Sequence, residues 1–264
     1  MNLSCLPAPV AELVTWWWSR VSDVLGSQTR SVLAYGSVTL GDFSPAWSDV
    51  DLCVAVDPEL GPRQAQQIAA IHTEMGSQFL DARSAGWESG QAVEAVYISP
   101  EGLSQAQPPA RHYFGHERGG EWETPGGIPA FDQLLLDRHG CVLTGESLHI
   151  HSPDTAALVK QTREELAWLE PDRSAVESAI WMAGVFHWLA RAIAYWRDGE
   201  ILSKSAALRR EIGLGSPLSS AYSLALELRI AGSRQAAGRR DELSRHFRQQ
   251  AGGARDEIAR LLPA

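Results

Sequence analysis

The stretch SVLAYGSVTLGDFSPAWSDVDLCVAV, residues 31–56, decides the fold, because it sets two apolar runs on either side of a turn-rich connection. The first run, Ser31 to Tyr35, stops at Gly36-Ser37. The second, Val50 to Val56, is apolar enough throughout to be a buried strand. Gly41-Asp42 and Ser44-Pro45 between them carry turn chemistry. Asp49 and Asp51 stand two apart where the second run begins. Side chains alternate faces along an extended chain, so these two carboxylates point the same way and can share a cation. Mg²⁺ takes a few carboxylate oxygens and completes its shell with water and substrate phosphates, which leaves room for a triphosphate. Two solvated carboxylates at a strand end are the plain alternative. Gly36-Ser37 weighs against it, because glycine at a strand end permits close backbone approach, and the following N–H groups can hold phosphate if a short helix begins there.

Downstream, Pro62 to Phe79 has apolar residues at helical spacing, and Ala92 to Ile98 reads as a further strand. Glu94 lies inside that run, and alternation groups it with Ala92 and Val96. A carboxylate among such neighbours is costly unless it is paired, hydrogen-bonded or bound to metal. Upstream, Ala8 to Leu25 is an amphipathic helix carrying Trp16-Trp17-Trp18. At least one of the three indoles must face outward, and packing of this helix onto the sheet accounts for the run without a binding surface. The alternation of element types makes the N-terminal half α/β, a small mixed sheet with helices.

From about Pro100 to Pro129 the composition shifts to Gly, Pro, His and charge, which predicts a long excursion rather than regular structure, with His112 and His116 as candidates to line a cleft. From Asp154 onward the pattern is helical: Thr155 to Leu169, Ser174 to Arg197, Ser203 to Ile212, Pro217 to Ile230 and Gln235 to Leu262. The boundary falls near His151 to Asp154. We therefore expect a catalytic α/β domain over 1–152 and an all-α helical bundle over 153–264.

A formal charge of −9 over 264 residues repels nucleic acid and anionic membrane surfaces and favours a cationic ligand. Cys5, Cys53 and Cys141 are widely spaced and odd in number, so they read as free thiols in a reducing compartment. No basic segment with an apolar stretch opens the chain, and no run approaches the roughly 18 apolar residues of a spanning helix. A cytoplasmic monomer is expected. His149-x-His151 lacks a third ligand and reads as a loop pair, and neither a G-x-S-x-G nor a Walker-type sequence is present.

Gly36-Ser37, ten residues, then Ser48-Asp49-Val50-Asp51 resembles the GS…SDxD signature of the polymerase-β-like nucleotidyltransferase superfamily, and the Glu94 strand resembles its third acidic strand. Leu189-Ala190-Arg191, followed by Asp198-Gly199-Glu200-Ile201-Leu202-Ser203-Lys204, is similar to the arginine helix and G-x-[IV]-x-[SP]-K segment of the streptomycin/spectinomycin adenylyltransferases. His139 to Gly145 resembles their inter-domain strand, which ends in L-x-G. Order and spacing agree from about Tyr35 to Arg210.

The resemblance implies that Asp49 and Asp51 hold Mg²⁺, with Glu94 as third carboxylate and general base on the attacking hydroxyl. It gives Gly36, Ser37 and Ser48 to the triphosphate of ATP, with Arg191 and Lys204 supplied from the helical domain to neutralise its charge. A surface ion pair for Arg191 and a solvated Lys204 are the plain alternatives. Trp122 resembles the family's cleft tryptophan, or is a partly buried loop anchor. Glu177, with Glu164, Glu170 and Asp172, is a candidate to read substrate amines. The implied reaction is transfer of AMP to a hydroxyl of an aminoglycoside or aminocyclitol, a small cationic acceptor, with release of pyrophosphate. Another natural product, a protein side chain, or nucleotide binding without turnover are the alternatives.

Overall fold

The computed structural model describes residues 1–45, 47–80, 93–106, 111–115, 120–124 and 128–263, with 76–80, 111–113, 115, 120–124 and 233–234 as backbone alone. The chain divides into two compact units, Met1–Asp154 and Thr155–Ala264.

In the first unit, α1 (Ala8–Leu25) buries Val10, Leu13, Val14, Trp17, Val21 and Leu25, the three-to-four spacing of one helical face. Trp17 is the fully buried indole of the triplet, while Trp16 and Trp18 are half-buried against the same core. The strands are β1 (Thr29–Tyr35), β2 (Val50–Val56), β3 (Val93–Ile98), β4 (Arg111–Gly115), β5 (Gly120–Thr124) and β6 (Cys141–Gly145). They form one mixed sheet in the order β5-β4-β3-β2-β1-β6. β2 and β3 are parallel, joined through α2 (Pro62–Leu80), and every other neighbouring pair is antiparallel. One face of the sheet packs Val32, Ala34, Leu52, Val54, Ala95 and Tyr97 against α1 and α2. The opposite face carries Asp51 and Glu94 at one end and the buried Cys53, Ala55, Val96 and Ile98 beyond them. Two further helices, α3 (Pro100–Leu103) and α4 (Ala130–His139), complete this unit, with α4 against β1.

Several expectations need correction. The stretch from Pro100 to Pro129 is not all excursion: it contains α3 and the β4–β5 hairpin, which widens the sheet by two strands. Its Gly, Pro and charge content masked the aromatic residues that suit a pleated surface, and Phe114 is fully buried in edge contact with Tyr97. His116 and Ala92 lie outside the described residues. Cys5 and Cys141, read as free thiols, form a disulfide. Their separation of 136 residues hides a neighbourhood that only the sheet creates: β6 lies along β1, and the Asn2 N–H donates to the Leu143 carbonyl, bringing the segment before α1 alongside. The helix expected from Ser174 begins at Ala179, because Ser178 accepts the Trp181 N–H as an N-cap and Pro171–Ala175 forms a separate 3-10 turn.

The second unit comprises α5 (Thr155–Glu165), α6 (Ala179–Asp198), α7 (Lys204–Gly213), α8 (Ser219–Ala231), α9 (Ser233–Gly238) and α10 (Arg240–Leu261). The helix expected from Gln235 onward is thus divided at Arg239. The core of the unit forms where α6 meets α7, α8 and α10, with Phe186 edge-on to Phe247. Among the described residues no helix is long and apolar enough to cross a membrane.

Under the sheet, the Trp17 indole N–H donates to His72 Nε2 at 3.1 Å, and the His72 ring stacks on Phe114. Burial lowers the His72 pKa from 6.5 to about 3, outweighing the opposite effect of the Val93 backbone. The folded-state value is depressed, so the unfolded chain binds the proton first as pH falls. The associated stability is complete above pH 6.5 and is lost progressively toward pH 3. In denaturant titrations between pH 7.5 and pH 5, the wild-type chain should lose about 2 kcal/mol more than His72→Gln, at up to ~1.4 kcal/mol per pH unit. Equal losses would show that His72 is protonated in the folded state.

Candidate active site

β1 leads into Gly36 at φ +71°, in the left-handed region where glycine is needed. Space makes the same demand: a Cβ on Gly36 would lie 2.0 Å from Asp51 Oδ2. The chain then closes on itself, Leu40 N–H to the Gly36 carbonyl at 3.1 Å and Asp42 N–H to the Ser37 carbonyl at 3.0 Å. This is a tight turn, in place of the short helix that would most simply have presented N–H groups. Ser37 Oγ is buried there without a hydrogen-bond partner.

Ser48 is 1% exposed, and its Oγ accepts the Ser44 N–H at 3.0 Å while its own N–H donates to the Ser44 carbonyl at 2.7 Å. These bonds clip the connection immediately before Asp49. Asp51 then pairs in register with Tyr35 on one side and Glu94 on the other. Asp49, Asp51 and Glu94 each offer a carboxylate oxygen, and the three atoms lie within 4.8 Å of one another on half-buried side chains. Among the described residues this is the one group of three or more His, Cys, Asp or Glu with metal-ligand spacing. At that separation two unit charges repel by roughly 3 kcal/mol at an effective dielectric of 20, so the cluster favours a cation. Hard oxygen donors, few in number and gathered beside a close backbone approach, fit Mg²⁺.

The sheet thus gathers Asp49, Asp51 and Glu94 and sets Gly36 against Asp51, with Ser37 next in the turn and Ser48 clipping the connection before Asp49. In the second unit the Arg191 Nε–H donates to the Leu202 carbonyl at 3.0 Å, which ties α6 to the residues just before Lys204, the first residue of α7. Ser203 caps α7 by accepting the Ala206 N–H, and Gly199 ends α6 at φ +72°. Ion pairs hold this connection: Arg197 to the buried Glu211 at 2.6 Å, Arg210 to Asp198 at 2.7 Å, and Arg210 to Glu200. The Arg197 pKa rises, chiefly through its hydrogen bonds to Glu211.

The substrate candidates are less concentrated. Trp122 is on β5, opposite Tyr113, and its side chain lies outside the described residues. Glu177 accepts from Arg173 at 2.8 Å, and that guanidinium covers the Trp181 ring at 4.9 Å. Sequence reasoning weighed Glu164 and passed over Glu165, which is half-buried and accepts from the Trp188 indole at 2.6 Å and from Gln161 at 2.8 Å. The i,i+4 spacing from Gln161 was a readable signal, whereas the Trp188 contact, 23 residues away, was not.

The mixed sheet with three carboxylates at one end and the helical unit that follows it have the fold of a solved adenyltransferase. The chain is similar to the crystal structure of spectinomycin adenyltransferase AAD(9) from Enterococcus faecialis with ATP and spectinomycin, at a TM-score of 0.66 and 16% identity, covering 94% of this chain and 98% of that one. No protein-family model and no curated protein sequence matches the chain.

If the three carboxylates form one cation site, Gly36→Ala should weaken Mn²⁺ binding at least tenfold by displacing the Asp51 carboxylate, and Asp51→Asn should do the same by removing a charge. Water proton relaxation against Mn²⁺ concentration measures both. Affinities equal to wild type in the two variants would sink the shared site.

Proposed function

We propose that the chain is an enzyme that transfers AMP from ATP to a hydroxyl of a small cationic acceptor of the aminoglycoside or aminocyclitol class, releasing pyrophosphate. The observation carrying this reading is the Asp49, Asp51 and Glu94 cluster beside Gly36-Ser37, in a chain with the fold of a spectinomycin adenyltransferase. ATP is the nucleotide, and Mg²⁺ would be held by Asp49 and Asp51 with Glu94. When bound, the ion supplies charge neutralisation at the phosphates.

Glu94 is the general base. The acceptor hydroxyl gives its proton to the Glu94 carboxylate as its oxygen bonds to the α-phosphorus, and the bond from that phosphorus to the bridging oxygen breaks to release pyrophosphate. Ser37 Oγ, buried without a partner, is suited to donate to a phosphate oxygen. Ser48 is better suited to hold the connection than to touch phosphate, given its burial and its bonds to Ser44. Arg191 and Lys204 stabilise the charge of the triphosphate. In the acceptor, protonated amines are read by acidic side chains, with Glu177 released from Arg173 to do so, and Trp122 offers a face for a sugar ring. The role this fits is antibiotic modification by a monomer in the cytoplasm, where ATP is supplied.

A pyrophosphate-release assay with ATP and Mg²⁺ against aminoglycosides, aminocyclitols and nucleosides tests the reading, and an active acceptor should come from the first two groups. With that acceptor, Glu94→Gln should lower kcat by roughly 10²-fold or more, the scale of general-base catalysis, while ATP remains bound. Unchanged turnover would remove Glu94 from the chemistry. Arg191→Ala and Lys204→Ala should each raise the Kd for ATP about tenfold, the order of one charge-assisted contact. Unchanged ATP affinity and rate in both would dismiss their assignment to the triphosphate.

A further inference from the structure

The disulfide between Cys5 and Cys141 joins two places that matter to the first unit. Cys5 lies in the segment before α1. Cys141 opens β6 and stands opposite Ala34, two residues before Gly36. Both cysteines are part-exposed, whereas Cys53 is fully buried. The segment is otherwise held by the Asn2 to Leu143 hydrogen bond and by Leu3 and Leu6 packed against the core.

We propose that the Cys5–Cys141 pair is a thiol-operated clamp. Closed, it fixes the segment before α1 to β6; open, it leaves that segment to one backbone bond to β6 and the packing of Leu3 and Leu6. Closure needs a low-molecular-weight disulfide, RSSR. One cysteine thiolate attacks RSSR to give a mixed disulfide and one thiol, and the second cysteine then displaces the other. In total two electrons and two protons pass from the cysteine pair to RSSR, leaving the protein disulfide and two RSH. Excess RSH reverses both steps, and the exposure of both cysteines admits it. Such a clamp is open in a glutathione-reduced compartment and closed under oxidising conditions. A cross-link spanning 136 residues restricts the unfolded chain strongly, so its state should set the stability of the unit. The inference is independent of the activity proposed above.

The test uses the full chain held in oxidised or in reduced glutathione, then unfolded, alkylated and weighed. One adduct, on Cys53, is expected after oxidation and three after reduction. Thermal unfolding should shift upward by roughly 5–15 °C in the oxidised protein, and Cys5→Ser should abolish the shift. Three adducts after oxidised glutathione, or glutathione retained on Cys5 without ring closure, would overturn the clamp. So would equal unfolding temperatures for the two wild-type states, a comparison that stands even if Cys5→Ser fails to fold.

Discussion

Three carboxylates within 4.8 Å of one another repel, and the first unit is arranged to keep them there. Asp51 and Glu94 are register partners on parallel strands, so backbone hydrogen bonds set their spacing. Asp49 is fixed from the other side by the Ser44–Ser48 clip. The crowding is built on rigid elements, and a cation held between the three carboxylates would relieve it.

The same strands must also bury a core, and alternation separates the two tasks. Leu52, Val54, Ala95 and Tyr97 face α1 and α2, while Asp51 and Glu94 face the other way at the strand ends. A register slip of one residue would send the carboxylates into the apolar layer and the apolar side chains out of it. The buried core therefore enforces the geometry of the acidic site. Glycine completes the arrangement at two points where chains approach most closely. A Cβ at Gly36 would strike Asp51, and one at Gly145, at φ +89°, would lie 2.0 Å from the Arg30 carbonyl of the strand beside it.

In the function proposed above, the second unit has a different problem, that of holding flexible cationic side chains. Arginine and lysine lose much rotamer entropy when fixed, so a cationic site is stronger when its backbone is already ordered. The connection between α6 and α7 is ordered by the Arg197–Glu211 and Arg210–Asp198 pairs, and Arg191 is hydrogen-bonded to its Leu202 carbonyl. Arg197 and Arg210 thus spend their charge on structure, which positions the residues around Arg191 and Lys204.

How much of this could be read from the chain depends on the range of the interaction involved. The bounds of α1 and β2 follow from local apolar spacing, and the structure keeps both as read, Ala8–Leu25 and Val50–Val56. Asp49 and Asp51 were legible because alternation is a local rule, and Glu94 because a carboxylate in an apolar strand is costly. What escaped is set by pairing over long separations. The β4–β5 hairpin exists because β3 offers an edge to pair with, and that edge is invisible in the composition of residues 100–129. Glu165 has its tryptophan partner on another helix, and Cys5 meets Cys141 only where β6 lies along β1. Ser48 marks the limit within the motif itself. Its presence before Asp49 was readable, but its burial against Ser44, which makes it a clip for the acidic strand, comes from how the turn folds back.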